Sequence, residues 1–118
     1  MQSVTSNAVA KANSYSTEEH FTGRYWKDGK KIYEKTFNYG TISSNSFQID
    51  TNVNLETLVT YSGSVKVADI IRPFPYHDPT SAMKFVISAI TENVVYFYSA
   101  WGYGTEFVFS MEYTKTTD

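Results

Sequence analysis

The chain has no cysteine. Neither a disulfide framework nor a thiolate metal site can form, so its 118 residues hold together by packing alone. A basic excess is missing too: Lys and Arg number 10 against 12 Asp and Glu, a net charge of −2. Neutralising a phosphate backbone needs a basic stripe, so nucleic acid is not an expected partner. No apolar run approaches the length of a membrane span, and membrane insertion is not expected. Met1, Gln2 and Ser3 carry neither the charge nor the apolar stretch of a secretory leader, so no signal peptide is expected. The two histidines, His20 and His77, lie far apart and neither has ligand spacing to a partner. Nucleophile triads, phosphate loops and calcium-loop spacings are absent. Asp50, Asp69, Glu92, Glu106 and Glu112 offer carboxylates, but spacing alone brings no two of them into a cleft. The expectation is a protein that is not an enzyme and has no metal or other cofactor.

What the chain has in excess is aromatic residues. They make up 17% of it, with 10 Tyr, 8 Phe and 2 Trp. Tyr, Phe, Val and Thr suit pleated, half-buried surfaces. Their abundance predicts an all-β fold, and their number leaves some for a subunit or ligand interface.

Residues 1–14 stand apart. They are small and polar, and Val4, Ala8 and Ala12 fall at i, i+4 and i+8 on one helical stripe. Ser3 or Ser6 can cap it. Such a short helix needs a partner. The segment reads either as a frayed tail or as the last turns of a stalk helix that associates with copies of itself. Residues 15–118 read as the β domain.

Within the β domain, Asp28-Gly29 sits between two β-favouring runs and predicts a tight two-residue type I′ hairpin turn. In that register Tyr25 opposes Ile32. Ile32 and Phe37 then point to opposite faces, through a bulge or because both faces are covered. Arg24, Lys27, Lys30, Lys31 and Lys35 read as a solvated hairpin edge. A short strand is expected near Phe47–Asp50. Leu55, Thr57, Val59 and Tyr61 share a face, and Ser62-Gly63-Ser64 marks a turn or bulge. Pro73, Pro75 and Pro79 restrict their segment to an edge or loop. Met83 to Ala89, Val94 to Trp101, and Phe107 to Tyr113 read as a three-stranded antiparallel meander. About seven strands in two layers result, an antiparallel β-sandwich or jelly-roll-like domain with a short N-terminal helix.

For ligand binding, the leading candidates are aromatics beside glycine. Trp101-Gly102-Tyr103-Gly104 places two large rings at an expected hairpin tip, and Tyr25-Trp26 flanks the Asp28-Gly29 turn. Sugar rings stack on exposed aromatic faces. The alternative is that Trp101 caps the edge of the core and Tyr103 is a plain loop residue. His20 beside Glu18 and Glu19 reads as a surface strand residue before it reads as a metal ligand.

The segments SVTSNAVAKA, TEEHFTGRYWKDGKKIYEKTF and EYTKTTD resemble the C-terminal module of phage and prophage tail proteins. These are the tail-fibre, baseplate or receptor-binding proteins of phages that infect Firmicutes and other gut bacteria. The pattern there is a short helix, a GRW-like strand, an aspartate-glycine-lysine turn, an I-Y-x-K-T strand and a closing EYTKTTD-like strand. Here Gly23-Arg24-Tyr25-Trp26 carries one extra aromatic, and Lys31 stands where proline is frequent. The likeness covers both ends of the chain and hardly touches residues 40–95. It implies the last part of a longer protein, assembled into a virion tail in the bacterial cytoplasm and trimeric. Val4, Ala8 and Ala12 would lie in the subunit interface, and a host-surface polysaccharide would be the partner outside the virion. It carries over no binding residue. The competing reading is a carbohydrate-binding module of a larger secreted enzyme, which needs no helical stripe and no trimer.

Overall fold

Phe107, Phe109, Met111 and Tyr113 alternate along one strand, and all four are buried to within 1% of full enclosure. That strand is the spine of the molecule. The computed structural model describes residues 16–80 and 82–118. Its strands are β1 (His20–Tyr25), β2 (Lys31–Ile42), β3 (Ser46–Asp50), β4 (Leu55–Val67), β5 (Ile70–Phe74), β6 (Tyr76–His77), β7 (Lys84–Ile90), β8 (Val94–Ser99) and β9 (Gly104–Lys115). The described residues contain no helix. The stripe of Val4, Ala8 and Ala12 lies outside them.

Two antiparallel sheets result: a five-stranded one in the order β1-β2-β9-β4-β5 and a four-stranded one in the order β3-β8-β7-β6. The all-β, two-layered expectation holds, with nine strands among the described residues rather than about seven. β2 pairs with β9 in the large sheet and β3 with β8 in the small one. The β2–β3 and β8–β9 connections therefore both cross between layers, as the outer winding of a jelly roll does. Inside it the roll stops: β4 folds back on β5 and β7 on β8 as local hairpins.

The expected terminal meander is therefore corrected. β7 and β8 are neighbours, but β9 lies in the opposite sheet. The reason is packing. Phe107 and Phe109 face Phe85 and Phe97 across the core, with Phe85–Phe107 centroids 4.8 Å apart and Phe97–Phe109 5.2 Å apart. Phe74 completes this edge-to-face cluster, 4.6 Å from Phe85. Burying such rings contributes about 2–3 kcal/mol each.

The first hairpin differs from the type I′ expectation. Trp26 N–H donates to the Lys30 carbonyl and Gly29 N–H to the Trp26 carbonyl, both at 2.8 Å. The loop is thus Lys27-Asp28-Gly29, and only Gly29 has positive φ, +87°. Asp28 Oδ1 accepts from Lys30 N–H at 3.0 Å, which holds Asp28 in an ordinary turn conformation. Tyr25 consequently faces Lys31, not Ile32. Upstream, Phe21 faces Tyr33, so β1 bulges around Gly23.

Further register changes follow from bulges. They bring Leu58 and Tyr61 onto the core with Leu55, in place of the simple alternation through Val59. Ser62-Gly63-Ser64 is not a turn; a register shift of the kind expected there follows directly, between Ser64 and Lys66. Gly63 pairs with Phe109 in an unbroken stretch of β4, where a Cβ would collide with the Val108 carbonyl. The proline segment behaves as expected, with β5 and β6 as edge strands.

Candidate functional site

The Trp101 segment does not form a hairpin tip. It crosses from the end of β8 in one sheet to the start of β9 in the other. Trp101 packs half-buried against the core, 5.1 Å from the Tyr76 ring. The Arg72 guanidinium lies 5.5 Å from the Trp101 centroid and 5.3 Å from that of Tyr76. Arg72 also donates to the Tyr76 hydroxyl at 3.3 Å. Trp101 is therefore part of a cation–π stack that closes the core edge. Tyr103, two residues on, is 52% exposed.

Tyr25 is the most exposed of the candidate rings, at 61%. It meets Phe21 edge-on, with centroids 5.5 Å apart. Gly23 between them has no side chain to interpose. A ladder of rings then runs inward, Phe21 to Tyr33 at 6.2 Å and Tyr33 to the fully buried Tyr113 at 6.3 Å. Cations sit beside it: Lys31 Nζ is 5.5 Å from the Phe21 centroid and Lys115 Nζ 5.0 Å from that of Tyr33. The inner end is anchored. Tyr33 donates to Asp118 at 2.6 Å, and Lys115 pairs with Glu19 at 2.9 Å. The bond to Asp118, followed by burial, pushes the Tyr33 hydroxyl up to about 12. Burial and its bond to Glu19 raise that of Tyr113 as well. Trp26 is half-buried, with Lys27 Nζ 5.5 Å from its centroid.

The four candidates do not form one site. Tyr25 pairs with Lys31 at one end of β2, whereas Gly104, next to Tyr103, pairs with Ile42 at the other. About 35 Å of strand separates them. Tyr25 and Tyr103 present ring surface to solvent, and Trp101 is committed to packing.

Sequence reasoning missed a constellation on the outer face of the large sheet. Glu34 and Glu112 stand directly opposite each other on β2 and β9. His20 Nε2 lies 3.3 Å from Glu34, and Arg24 pairs with Glu112. Burial raises the Glu34 carboxyl above its ordinary range; His20 opposes this and Glu112 adds to it. Beside the pair, Thr36 donates to Ser110 Oγ at 2.9 Å. The alternation in IYEKTF and FSMEYT already assigns these residues to the face opposite the core aromatics. Nothing local reveals that the two segments are neighbours. The basic cluster is likewise partly engaged: Arg24 pairs with Glu112, and Lys30 pairs with Glu56 at 2.9 Å. Among the described residues, no group of three His, Asp or Glu side chains is placed to hold a metal ion. Comparison with protein-family models, curated proteins and solved structures returned no match.

Proposed function

We propose that this chain is a structural and adhesion module of a phage or prophage tail protein, trimeric, which engages host-surface polysaccharide. Its likeness at both ends to the C-terminal modules of such proteins suggests the setting. The observation that carries adhesion is Tyr25. Its ring meets Phe21 edge-on, and the residue stays 61% exposed. A ring fixed in place loses little freedom when a sugar stacks on it, so each contact gains from preorganisation. Three copies would add avidity without any new contact.

The test has two arms. Light scattering on the purified chain should give three times the monomer mass; a monomer at tens of micromolar would remove the trimeric tail setting. Pull-down on walls of candidate Firmicutes hosts should be weakened by Tyr25→Ala and, if the second ring also contributes, further by Tyr103→Ala. Equal retention of parent and double variant would end the stacking reading.

A further inference from the structure

We propose that the outer face of the five-stranded sheet is a furrow that binds an extended, neutral, hydroxyl-rich polysaccharide chain. This rests on the adhesion reading and gives it a second site, on the face of the sheet opposite Tyr25.

The furrow is built from three rows that cross β2, β9 and β4 in register. The first row is Glu34, Glu112 and Thr60; the second is Thr36, Ser110 and Ser62; the third is Asn38, Val108 and Ser64. Short side chains in the middle, Thr36, Ser110 and Ser62, keep the floor low. Thr36 and Ser110 are consequently only 7% exposed, although they lie on the face away from the core. Three hollows of about 150, 320 and 300 Å³ follow one another along this face. The first two share Ser62 and Ser110, and the last two share Ser64 and Val108. From Glu112 to Glu106 on β9 the run is about 20 Å, room for several sugar rings end to end.

The lining selects the ligand. Hydroxyls both donate and accept, which matches sugar hydroxyls of unfixed orientation. Thr36 and Ser110 already bond to each other, so the floor is held in place. Among the described residues, the hydroxyls of Thr60, Ser62 and Ser64 have no protein partner. A carboxylate accepts two hydroxyl hydrogens at once, and two carboxylates stand together at one end. Like charges directly opposite on neighbouring strands are destabilising, and here Arg24 and His20 offset that only from one side. Donors from a ligand would offset the rest. At the far end Ile71, 74% exposed, gives an apolar wall for the C–H face of a sugar. A polyanion has little to bind: Arg24 is paired with Glu112, and Lys66 lies 3.7 Å from Glu106.

The probe is an array of Gram-positive wall polysaccharides with glucose and N-acetylglucosamine oligomers of increasing length. Its best binder is then titrated into labelled protein. Ser62→Leu with Ser64→Leu fills the furrow, and Tyr25→Ala removes the ring on the other face. The furrow predicts affinity that grows with chain length, amide shifts at Ser62, Ser64 and Ser110, and at least about a tenfold loss in the filled variant. If the filled variant fails to fold, the shift map on the parent decides instead. Binding that survives filling, or shifts confined to Tyr25 and Phe21, would overturn the furrow and leave the adhesion reading standing. No binding anywhere on the array, or binding of anionic polymers alone, would overturn both.

Discussion

The hairpin between β4 and β5 turns through Ala68 and Asp69, at φ of +50° and +64°. Val67 pairs with Ile70, so these two residues are the whole loop, and both positive φ values make it type I′. Asn-Gly is the pair this turn prefers; alanine is a poor fit. Holding alanine in the left-handed region costs about 1–2 kcal/mol, and aspartate somewhat less. Both residues are exposed and make no hydrogen bond among the described residues, so replacing them removes no contact. Asn at position 68 tolerates the conformation, and Gly at 69 removes the strain at the expense of a looser unfolded chain. The net gain from Ala68→Asn with Asp69→Gly is therefore about 1–1.5 kcal/mol. For a domain of this size that raises Tm by about 4–8 °C, measured by circular dichroism or calorimetry.

Gly29 supplies the control. It has φ of +87° and open space where a Cβ would go, so Gly29→Ala costs only conformational strain. The expected loss is about 1 kcal/mol. The two changes probe the same backbone region with opposite signs. A drop for Gly29→Ala alongside no rise for the Ala68 and Asp69 pair would refute the assignment of the β4–β5 turn.

Gly63→Ala should destabilise by about 1–3 kcal/mol, because the clash is with the Val108 backbone and no side chain can swing aside; an unchanged denaturation midpoint would contradict the β4–β9 register. Trp101→Ala should cost about 2–3 kcal/mol through lost packing and the lost Arg72 stack, while binding per folded molecule stays unchanged. Tyr33 has its pKa raised from 10.0 to about 12, so the fold favours its neutral form, and that stabilisation is complete below pH 10 and lost as pH rises through about 12. Denaturation midpoints should fall across that window, and the fall should be smaller in Tyr33→Phe; identical profiles would remove the Tyr33–Asp118 bond from the account.

The strands themselves were legible because side-chain alternation is local. Phe107 to Tyr113 announces its buried face, and Ser46–Asp50 appears where Phe47–Asp50 was expected. Turn type was less legible, since two turns reverse what their dipeptides suggest. Asp28-Gly29 has the type I′ signature, yet the Asp28 side chain captures the Lys30 amide and leaves one left-handed position in a three-residue loop. Ala68-Asp69 lacks the signature and adopts the turn, because the strands on either side are fixed by pairing and the loop has no other length to use. The terminal meander failed for a related reason. Adjacent strands pair most readily when a short loop joins them, but β9 gains more by facing Phe85 and Phe97 across the core than by lying beside β8.

Candidate binding residues were harder still, because an aromatic ring carries no mark of which side faces water. Tyr25, Trp26, Trp101 and Tyr103 look alike in sequence; only the positions of Arg72 and Tyr76 show that Trp101 is already occupied. The outer furrow is the opposite case. Serine, threonine and glutamate on the non-core face read as ordinary solvated positions, one residue at a time. They become a surface only when β2, β9 and β4 are laid side by side, which brings Thr36, Ser110 and Ser62 into one row. Alternation along each strand therefore specifies which face a residue takes, and the order of strands in the sheet decides what that face can hold. In this chain the aromatic residues stabilise the core that sets the strand order, and that order assembles the row of hydroxyl side chains on the opposite face.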